Sequence, residues 1–310
     1  RIIAYTARYI GANPNAPKYI NSATSVLYTK GETLFGIDRA FRLRDAENFI
    51  IVEGAPDALR LQSIGLENTV ASLGTSWNEN QLNLLKRYKS SLCFIPDSDV
   101  APEGQYGPGF KAVMECGTLA IRKGFHATVK ELPFGTRELT EEELQEKYEG
   151  AIPKDAQREV LVKNDADSYI LSEEIYRNLR EKHFIVWLAE KQFATASSLL
   201  REINCVNQIA DLLRYVKDQF VYEQCIEQLS KIYGKARLWK DAVTQARNQA
   251  KRAKQPTMMD KQQEETDALR QLNLFVRNNC YYCLGKDDED PIRLSNFRME
   301  PLFHIHDECN

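Results

Sequence analysis

The chain has 310 residues, of which 43% are hydrophobic and 27% are charged, a balance typical of a folded protein with two or three domains. It contains no apolar run of about 18 residues that could span a membrane, and no apolar signal core follows a basic start. The odd count of seven cysteines favours reduced thiols over a disulfide framework. We therefore expect a cytoplasmic protein that does not contact a membrane. Because the sequence begins with Arg1 and stops at Asn310 without an obvious terminating element, we also expect it to be a fragment.

The net charge of −3 is unevenly distributed along the chain. Residues 1–45 hold seven basic side chains against three acidic ones, and residues 231–254 hold eight against one. The centre of the chain is correspondingly acidic. Two basic flanks suit a protein that binds the phosphates of a nucleic acid, whereas a solvated helix face is the alternative for either basic run taken alone.

Apolar strands and amphipathic helices alternate in the first half of the sequence, which predicts a parallel sheet with helices on both faces. From about Ser172 to Pro256 helical periodicity takes over. Residues 272–305 mix aromatic and β-branched residues, which favours a few β-strands. The predicted strands of the first half are 49–52, 69–73, 92–95 and 125–132, and the predicted helices are 56–65, 79–88 and 111–123.

Acidic residues follow three of the predicted extended segments. Because the carboxyl ends of parallel strands meet at one edge of a sheet, these side chains should crowd together there. Crowded carboxylates repel one another unless cations lie among them, and oxygen ligands of this kind suit Mg²⁺ or Mn²⁺. The alternative is that each acid caps a helix and faces water. The acids concerned are Glu53 and Asp57 after the first strand, Asp97 and Asp99 after the third, and Asp165 and Asp167 after residues 160–162.

Two of these motifs, Glu-Gly-x-x-Asp at 53–57 and Asp-x-Asp at 97–99, resemble those of the Toprim domain found in primases, topoisomerases and some nucleases. The segments upstream narrow the choice, since residues 1–8, 17–22 and 30–36 resemble the N-terminal half of the polymerase core of bacterial DnaG-type primases. Residues 71–76 and 164–170 are similar to further primase segments, and the resemblance covers roughly residues 1–250.

The resemblance implies an α/β fold in four parts. A partial α+β primase subdomain at residues 1–46 would precede a parallel-sheet Toprim domain at 47–171. A helical subdomain at 172–255 would follow, and then a helix and a small β-rich extension of unknown role at 256–310. The sequence departs from the family by extra residues at 100–108 and at about 136–157. Together with the β-rich end, these departures predict a bacterial primase that is encoded by a mobile element or is part of a larger multi-domain protein.

The activity that the resemblance implies is metal-dependent nucleotidyl transfer, in which a DNA-directed RNA polymerase makes short RNA primers. Glu53, Asp97 and Asp99 would be the catalytic residues. The same three residues would bind two Mg²⁺ or Mn²⁺ ions, helped by Asp57, Asp165 and Asp167. Single-stranded DNA, ribonucleoside triphosphates and a replicative helicase would be the partners. The residues expected to contact nucleic acid or nucleotide are Arg8, Lys18, Tyr19, Asn21 and Lys30.

Three other interpretations of the sequence were considered. A Toprim nuclease or topoisomerase would carry a DNA-cleaving domain in place of residues 1–45. A non-catalytic adaptor would bind DNA or a helicase through residues 172–310 and keep the acids as relics. Residues of the types that bind zinc are present near the end of the chain, at Cys280, Cys283, His304, His306 and Cys309. Zinc binding is nevertheless not expected, because Cys280 and Cys283 lie in an aromatic run that is typical of a strand.

Overall fold

A computed structural model describes residues 2–11, 13, 15, 19–72, 77–102, 105–149, 153, 156–253, 274–277, 280–283 and 292–294. The chain divides into two compact units, Arg1–Arg247 and Asn248–Asn310. Lys18, residues 73–76, His304, His306 and Cys309 lie outside the described residues. Within the described ranges, no helix is both long enough and apolar enough to cross a membrane.

The first unit begins with an antiparallel pair of short strands, β1 (Thr6–Arg8) and β2 (Tyr19–Asn21), followed by a 3-10 turn at Lys30–Glu32 and the short helix α1 (Ile37–Ala40). Phe35 and Ala71 exchange both of their backbone hydrogen bonds, at 2.8 and 3.1 Å. The N-terminal segment is thereby fastened to the edge of the main sheet.

The main sheet has the predicted alternation of strands and helices. The apolar strands are buried on both faces, as expected for a parallel sheet, and all four strands of this stretch run parallel. The elements in chain order are β3 (Phe49–Val52), α2 (Ala55–Ser63), β4 (Thr69–Ala71), α3 (Glu79–Lys86), β5 (Ser91–Phe94), α4 (Pro108–Arg122) and β6 (His126–Lys130).

The second set of extra residues is a folded insertion. Strands β7 (Gly135–Glu138) and β8 (Glu159–Val162) pair in antiparallel register, with Gly135 opposite Val162, and helix α5 (Glu141–Lys147) lies between them in sequence. The chain then enters the one-turn helix α6 (Ala166–Tyr169). The insertion therefore ends immediately before the third acidic motif.

The predicted helical region contains one strand that the sequence pattern does not reveal. After α7 (Glu173–Asn178), the strand β9 (Glu181–His183) pairs antiparallel with β6 and completes a five-stranded sheet of order β4-β3-β5-β6-β9. A three-residue strand is too short to show a period in the sequence. The helices that follow are α8 (Phe184–Thr195), α9 (Leu199–Leu213), α10 (Gln219–Ile232) and α11 (Ala236–Ala253).

Helix α8 supplies the centre of the core of the first unit. Phe184 and Trp187 are fully buried, and their rings lie 6.3 Å from Phe94 and 6.0 Å from Phe110, respectively. Gly117 of α4 makes room for this packing, because a Cβ atom there would lie 2.1 Å from the Phe184 ring. Helix α4 is in this way held against the end of β5, where the Asp-x-Asp motif begins.

The second unit contains the predicted β-rich end as an antiparallel sheet of order β10-β11-β12. Its strands are β10 (Leu274–Arg277), β11 (Cys280–Cys283) and β12 (Ile292–Arg293). Arg293 donates a hydrogen bond to the Cys280 sulfur at 3.0 Å.

Replacing Phe184 with alanine should lower the free energy of unfolding by about 3–5 kcal/mol, because it empties a fully buried aromatic site. Phe220 provides a matched control, since its side chain is 74% exposed and the Phe220→Ala variant should remain close to the wild type. Urea titrations of both variants measure the difference. Equal losses would contradict this account of the core.

Candidate active site

Two acidic residues lie where the order of the parallel strands reverses. The chain moves from β3 outward to β4 and then back across β3 to β5, so the carboxyl ends of β3 and β5 flank the crevice in which parallel sheets bind ligands. Glu53 follows β3 directly, and Asp97 follows β5 after Ile95 and Pro96. The sheet topology thus brings together two residues that are far apart in the sequence.

Asp57 is buried beside this crevice and connects two helices to it. Its carboxylate accepts hydrogen bonds from the backbone N–H of Gly54 at 3.1 Å and of Asp167 at 3.0 Å. Burial, and then the charge of Asp97, raise the pKa of Asp57 to about 6. Both carboxylate oxygens therefore hold the first turns of α2 and α6 in place.

Asp97 and Asp99 share one cation, the ammonium group of Lys163. Its Nζ lies 2.6 Å from Asp97 Oδ2 and 2.9 Å from Asp99 Oδ1. Asp99 Oδ2 also accepts a hydrogen bond from the backbone N–H of Gly109 at 2.7 Å, in the first turn of α4. A Cβ atom at position 109 would lie within 3.1 Å of the Asp97 backbone, so a glycine allows α4 to approach the motif.

The insertion delivers Lys163 to this position. Lys163 follows the last residue of β8, and the next residue, Asn164, accepts hydrogen bonds through its backbone oxygen from the N–H and the hydroxyl of Ser98, at 2.9 and 3.2 Å. Ser98 lies between the two aspartates and is fully buried. The sequence did not identify Lys163 as a site residue. The only feature that could have indicated it is its position between a predicted strand and an acidic motif.

Burial raises the pKa of two carboxyl groups in the site, Glu53 and Asp97. Burial first, and then the charge of Asp97, raise the pKa of Glu53 to about 7. Burial also raises the pKa of Asp97, although hydrogen bonding to Lys163 opposes the shift. Burial by itself lowers the pKa of Lys163, but its hydrogen bonds to Asp97 and Asp99 outweigh that effect and raise the pKa above its ordinary value. Lys163 therefore stays charged.

The carboxylate oxygens of the site are donors of the kind that bind a divalent cation. In the described ranges, no three acidic, histidine or cysteine side chains converge as a finished metal site. Two carboxylates nevertheless already share a cation, and Glu53 Oε2 is buried without a hydrogen-bond partner among the described residues. Carboxylate oxygens are the ligands that Mg²⁺ and Mn²⁺ prefer. The chemistry of Asp97 and Asp99 thus suits a divalent cation at the place that the Lys163 ammonium group occupies, and the free Glu53 oxygen suits a further ligand.

The remaining predicted acids take part in local contacts at α6. Asp165 caps the helix by accepting a hydrogen bond from the Ser168 N–H at 2.8 Å. Asp167 pairs with Arg60 at 3.0 Å, with both side chains more than 40% exposed. Asp57 links α6 to the crevice, so these two residues border the group formed by Glu53, Asp97 and Asp99.

The predicted nucleic-acid residues lie on the N-terminal strands and turn. Arg8 is exposed and faces Tyr19 across the β1–β2 pair. Asn21 pairs with Thr6, and its side-chain oxygen is buried without a hydrogen-bond partner among the described residues. Lys30 is exposed in the 3-10 turn.

Two families match the chain. Residues 1–41 match the N-terminal domain of the DNA primase catalytic core, and residues 50–136 match the Toprim-like family. The DNA primase of Aquifex aeolicus is 38% identical over 136 residues, which is 44% of this chain and 26% of that protein. Over these segments the chain is similar to DNA primases.

Solved primase structures share the fold of this chain. A primase domain from Pseudomonas aeruginosa aligns over 79% of the chain and 68% of its own length, with a TM-score of 0.54 and 22% identity. A DnaG primase catalytic domain bound to single-stranded DNA aligns over 76% of the chain and 66% of its own length, with a TM-score of 0.52 and 20% identity. The chain spans about a third or less of the length of the curated primases it matches.

The stability of the metal-free protein should depend on pH through Glu53. Because its pKa is raised from 4.5 to about 7 in the folded state, the folded protein binds a proton in this range that the unfolded protein releases. The free energy of unfolding should therefore fall as the pH rises from 4.5 towards 7. Urea titrations in the presence of a chelator measure this slope. Glu53→Gln should reduce it, and an unchanged slope would contradict the assignment.

Replacing Lys163 with methionine should leave Asp97 and Asp99 without their counter-ion. We expect the metal-free protein to lose about 1–2 kcal/mol of stability, less than for a fully buried pair because Lys163 is 44% exposed. Mg²⁺ should then stabilise the variant more than the wild type, since it no longer displaces an ammonium group.

Thermal melts with and without Mg²⁺ measure both effects of the Lys163 substitution. Lys123→Met is the matched control, because Lys123 pairs with Glu79 at 2.9 Å away from the site. An equal response to Mg²⁺ in the wild type and in Lys163→Met would contradict the overlap between ammonium and metal.

Proposed function

We propose that this chain is the polymerising core of a DNA primase, which makes short RNA primers on single-stranded DNA by nucleotidyl transfer. The observation that carries the proposal is the cation shared by Asp97 and Asp99 at the reversal point of the parallel sheet, where Glu53 Oε2 is buried without a hydrogen-bond partner among the described residues. The match of residues 1–41 to the primase N-terminal domain favours this function over that of a Toprim nuclease or topoisomerase.

Primer synthesis joins two ribonucleotides when a 3′-hydroxyl attacks an α-phosphate and pyrophosphate leaves. Two divalent ions, Mg²⁺ or Mn²⁺, would supply stabilisation of the attacking and leaving oxygens. Glu53, Asp97 and Asp99 would hold these ions. Asp57, Asp165 and Asp167 would keep α2 and α6 positioned around them. Alternatively, Glu53 would serve as the general base that takes the proton of the attacking hydroxyl.

Lys163 would act as a counter-ion for Asp97 and Asp99 when no metal ion is bound. In the absence of a divalent ion it neutralises Asp97 and Asp99, which would otherwise repel each other in a buried setting. The ammonium group of Lys163 would leave Asp97 and Asp99 if these residues held a divalent cation. A lysine acts as a mobile point charge towards phosphates, so the released side chain is suited to contact the triphosphate of the incoming nucleotide.

The N-terminal strands would guide the template or the nucleotide. The exposed cations Arg8 and Lys30 suit phosphate contacts, and Tyr19 and Asn21 suit contacts to bases. The solved DnaG catalytic domain bound to single-stranded DNA supports this role, since the chain shares its fold. Ribonucleoside triphosphates as substrates and a replicative helicase as partner follow from the same assignment.

The decisive experiment measures labelled oligoribonucleotides made from single-stranded DNA, ribonucleoside triphosphates and Mg²⁺ or Mn²⁺. Glu53→Gln and Asp97→Asn should each reduce the yield on the order of a hundredfold or more, because each removes a charged ligand of the proposed site. Glu227→Gln and Asp241→Asn are matched controls on exposed helix faces and should retain wild-type yield.

Each alternative has its own outcome in this assay. Primer synthesis that survives both site substitutions would overturn the assigned carboxylates. Metal-dependent cleavage of DNA without any oligoribonucleotide would instead indicate a nuclease.

A further inference from the structure

A second group of residues that could bind a ligand lies at the amino ends of β3 and β5, opposite the carboxyl ends that carry Glu53 and Asp97. The segments that precede β3 and β5 enclose an open pocket of about 580 Å³. Glu53 and Asp97 follow the same two strands. The pocket and the acidic residues are therefore separated by the length of a four-residue strand, roughly 13 Å. The pocket is lined by Phe41, Arg42, Leu43, Arg44, Arg87, Tyr88 and Lys89.

Two aromatic rings are exposed in this pocket. The side chains of Phe41 and Tyr88 are 39% and 48% exposed, and their ring centroids lie 5.3 Å apart. The Arg42 guanidinium lies 5.6 Å from the centre of the Phe41 ring. Exposed rings next to guanidinium groups form a surface on which nucleic-acid bases stack.

The charge of the pocket is uncompensated. Arg42, Arg44 and Arg87 are exposed, and within the described ranges none of them pairs with a carboxylate. Other arginines of the same unit do so, as Arg60 with Asp167 and Arg122 with Asp211 show. No acidic side chain lines the pocket. A cluster of unpaired guanidinium groups favours a polyanion as the ligand.

The two segments are fixed to each other, so the surface is preformed. Lys89 donates hydrogen bonds from its ammonium group to the backbone oxygens of Leu43, at 2.7 Å, and Ala46. This lysine thereby holds the turn after α1 against the end of α3.

We propose that this aromatic and basic pocket, defined by Phe41, Arg42, Arg44, Arg87 and Tyr88, binds a segment of single-stranded nucleic acid. The bases stack on the two rings, and the arginines neutralise the phosphodiester backbone. An open, shallow surface suits a strand, whereas a free nucleotide generally needs a more enclosed pocket. This binding does not depend on polymerase activity, so it stands or falls separately from the proposed function.

The test measures the affinity of the whole chain for a fluorescein-labelled single-stranded oligodeoxynucleotide by anisotropy over a range of salt concentrations. Combined Arg42→Gln, Arg44→Gln and Arg87→Gln should weaken binding and lower the slope of log K against log salt concentration by about 2. Combined Phe41→Leu and Tyr88→Leu should weaken binding about fivefold or more with little change in that slope.

A matched control removes the same charge elsewhere. Combined Arg122→Gln, Arg158→Gln and Arg177→Gln replaces three exposed arginines that are already ion-paired, and it should leave affinity and slope unchanged. Equal effects of the two triple variants, or no effect of either, would overturn the proposal. Displacement of the strand by adenosine monophosphate as effectively as by unlabelled oligonucleotide would also overturn it.

Amide hydrogen exchange of the wild-type chain provides a test that needs no variant. Adding the oligodeoxynucleotide should slow exchange in residues 41–46 and 87–90. Unchanged exchange in both segments at a saturating concentration of the strand would contradict the proposal.

Discussion

The site depends on a balance between carboxylate repulsion and the charge of Lys163. Topology brings Glu53 and Asp97 to the same crevice, where burial raises the pKa of both carboxyl groups and the charge of Asp97 raises that of Glu53 further. The ammonium group bound to Asp97 and Asp99 compensates for this repulsion in the absence of a metal ion. The same arrangement of carboxylates suits the divalent cation that we propose for the crevice.

The surrounding fold maintains this balance through backbone contacts. Asp57 receives the N–H groups of Gly54 and Asp167, Asp99 receives that of Gly109, and Ser98 is bound to Asn164. Each contact ties a helix or the insertion to one of the acidic motifs. The buried rings of α8 pack against α4 and β5. The packing of the core therefore also fixes the position of the acidic motif that lies between these two elements.

The two ends of strands β3 and β5 carry side chains of opposite charge. Carboxylates gather at the carboxyl ends of β3 and β5, and unpaired arginines gather before the same strands. The overall charge of −3 conceals this separation, because it sums acidic and basic regions that the fold keeps apart. The proposed strand of nucleic acid and the proposed divalent cation would therefore bind to different surfaces of the first unit.

The sequence by itself determined the parallel sheet and the position of its acids, because apolar runs that end in Glu53 and Asp97 are local patterns. It also indicated the primase relationship through short motifs. Only the tertiary structure showed β9 and the role of Lys163, since a three-residue strand has no readable period and a lysine 66 residues from Asp97 pairs with it only through the folded insertion. Likewise, Phe41 and Tyr88 meet only because two strands lie side by side. Local order follows from neighbouring residues, whereas contacts between distant charges and rings require the completed fold.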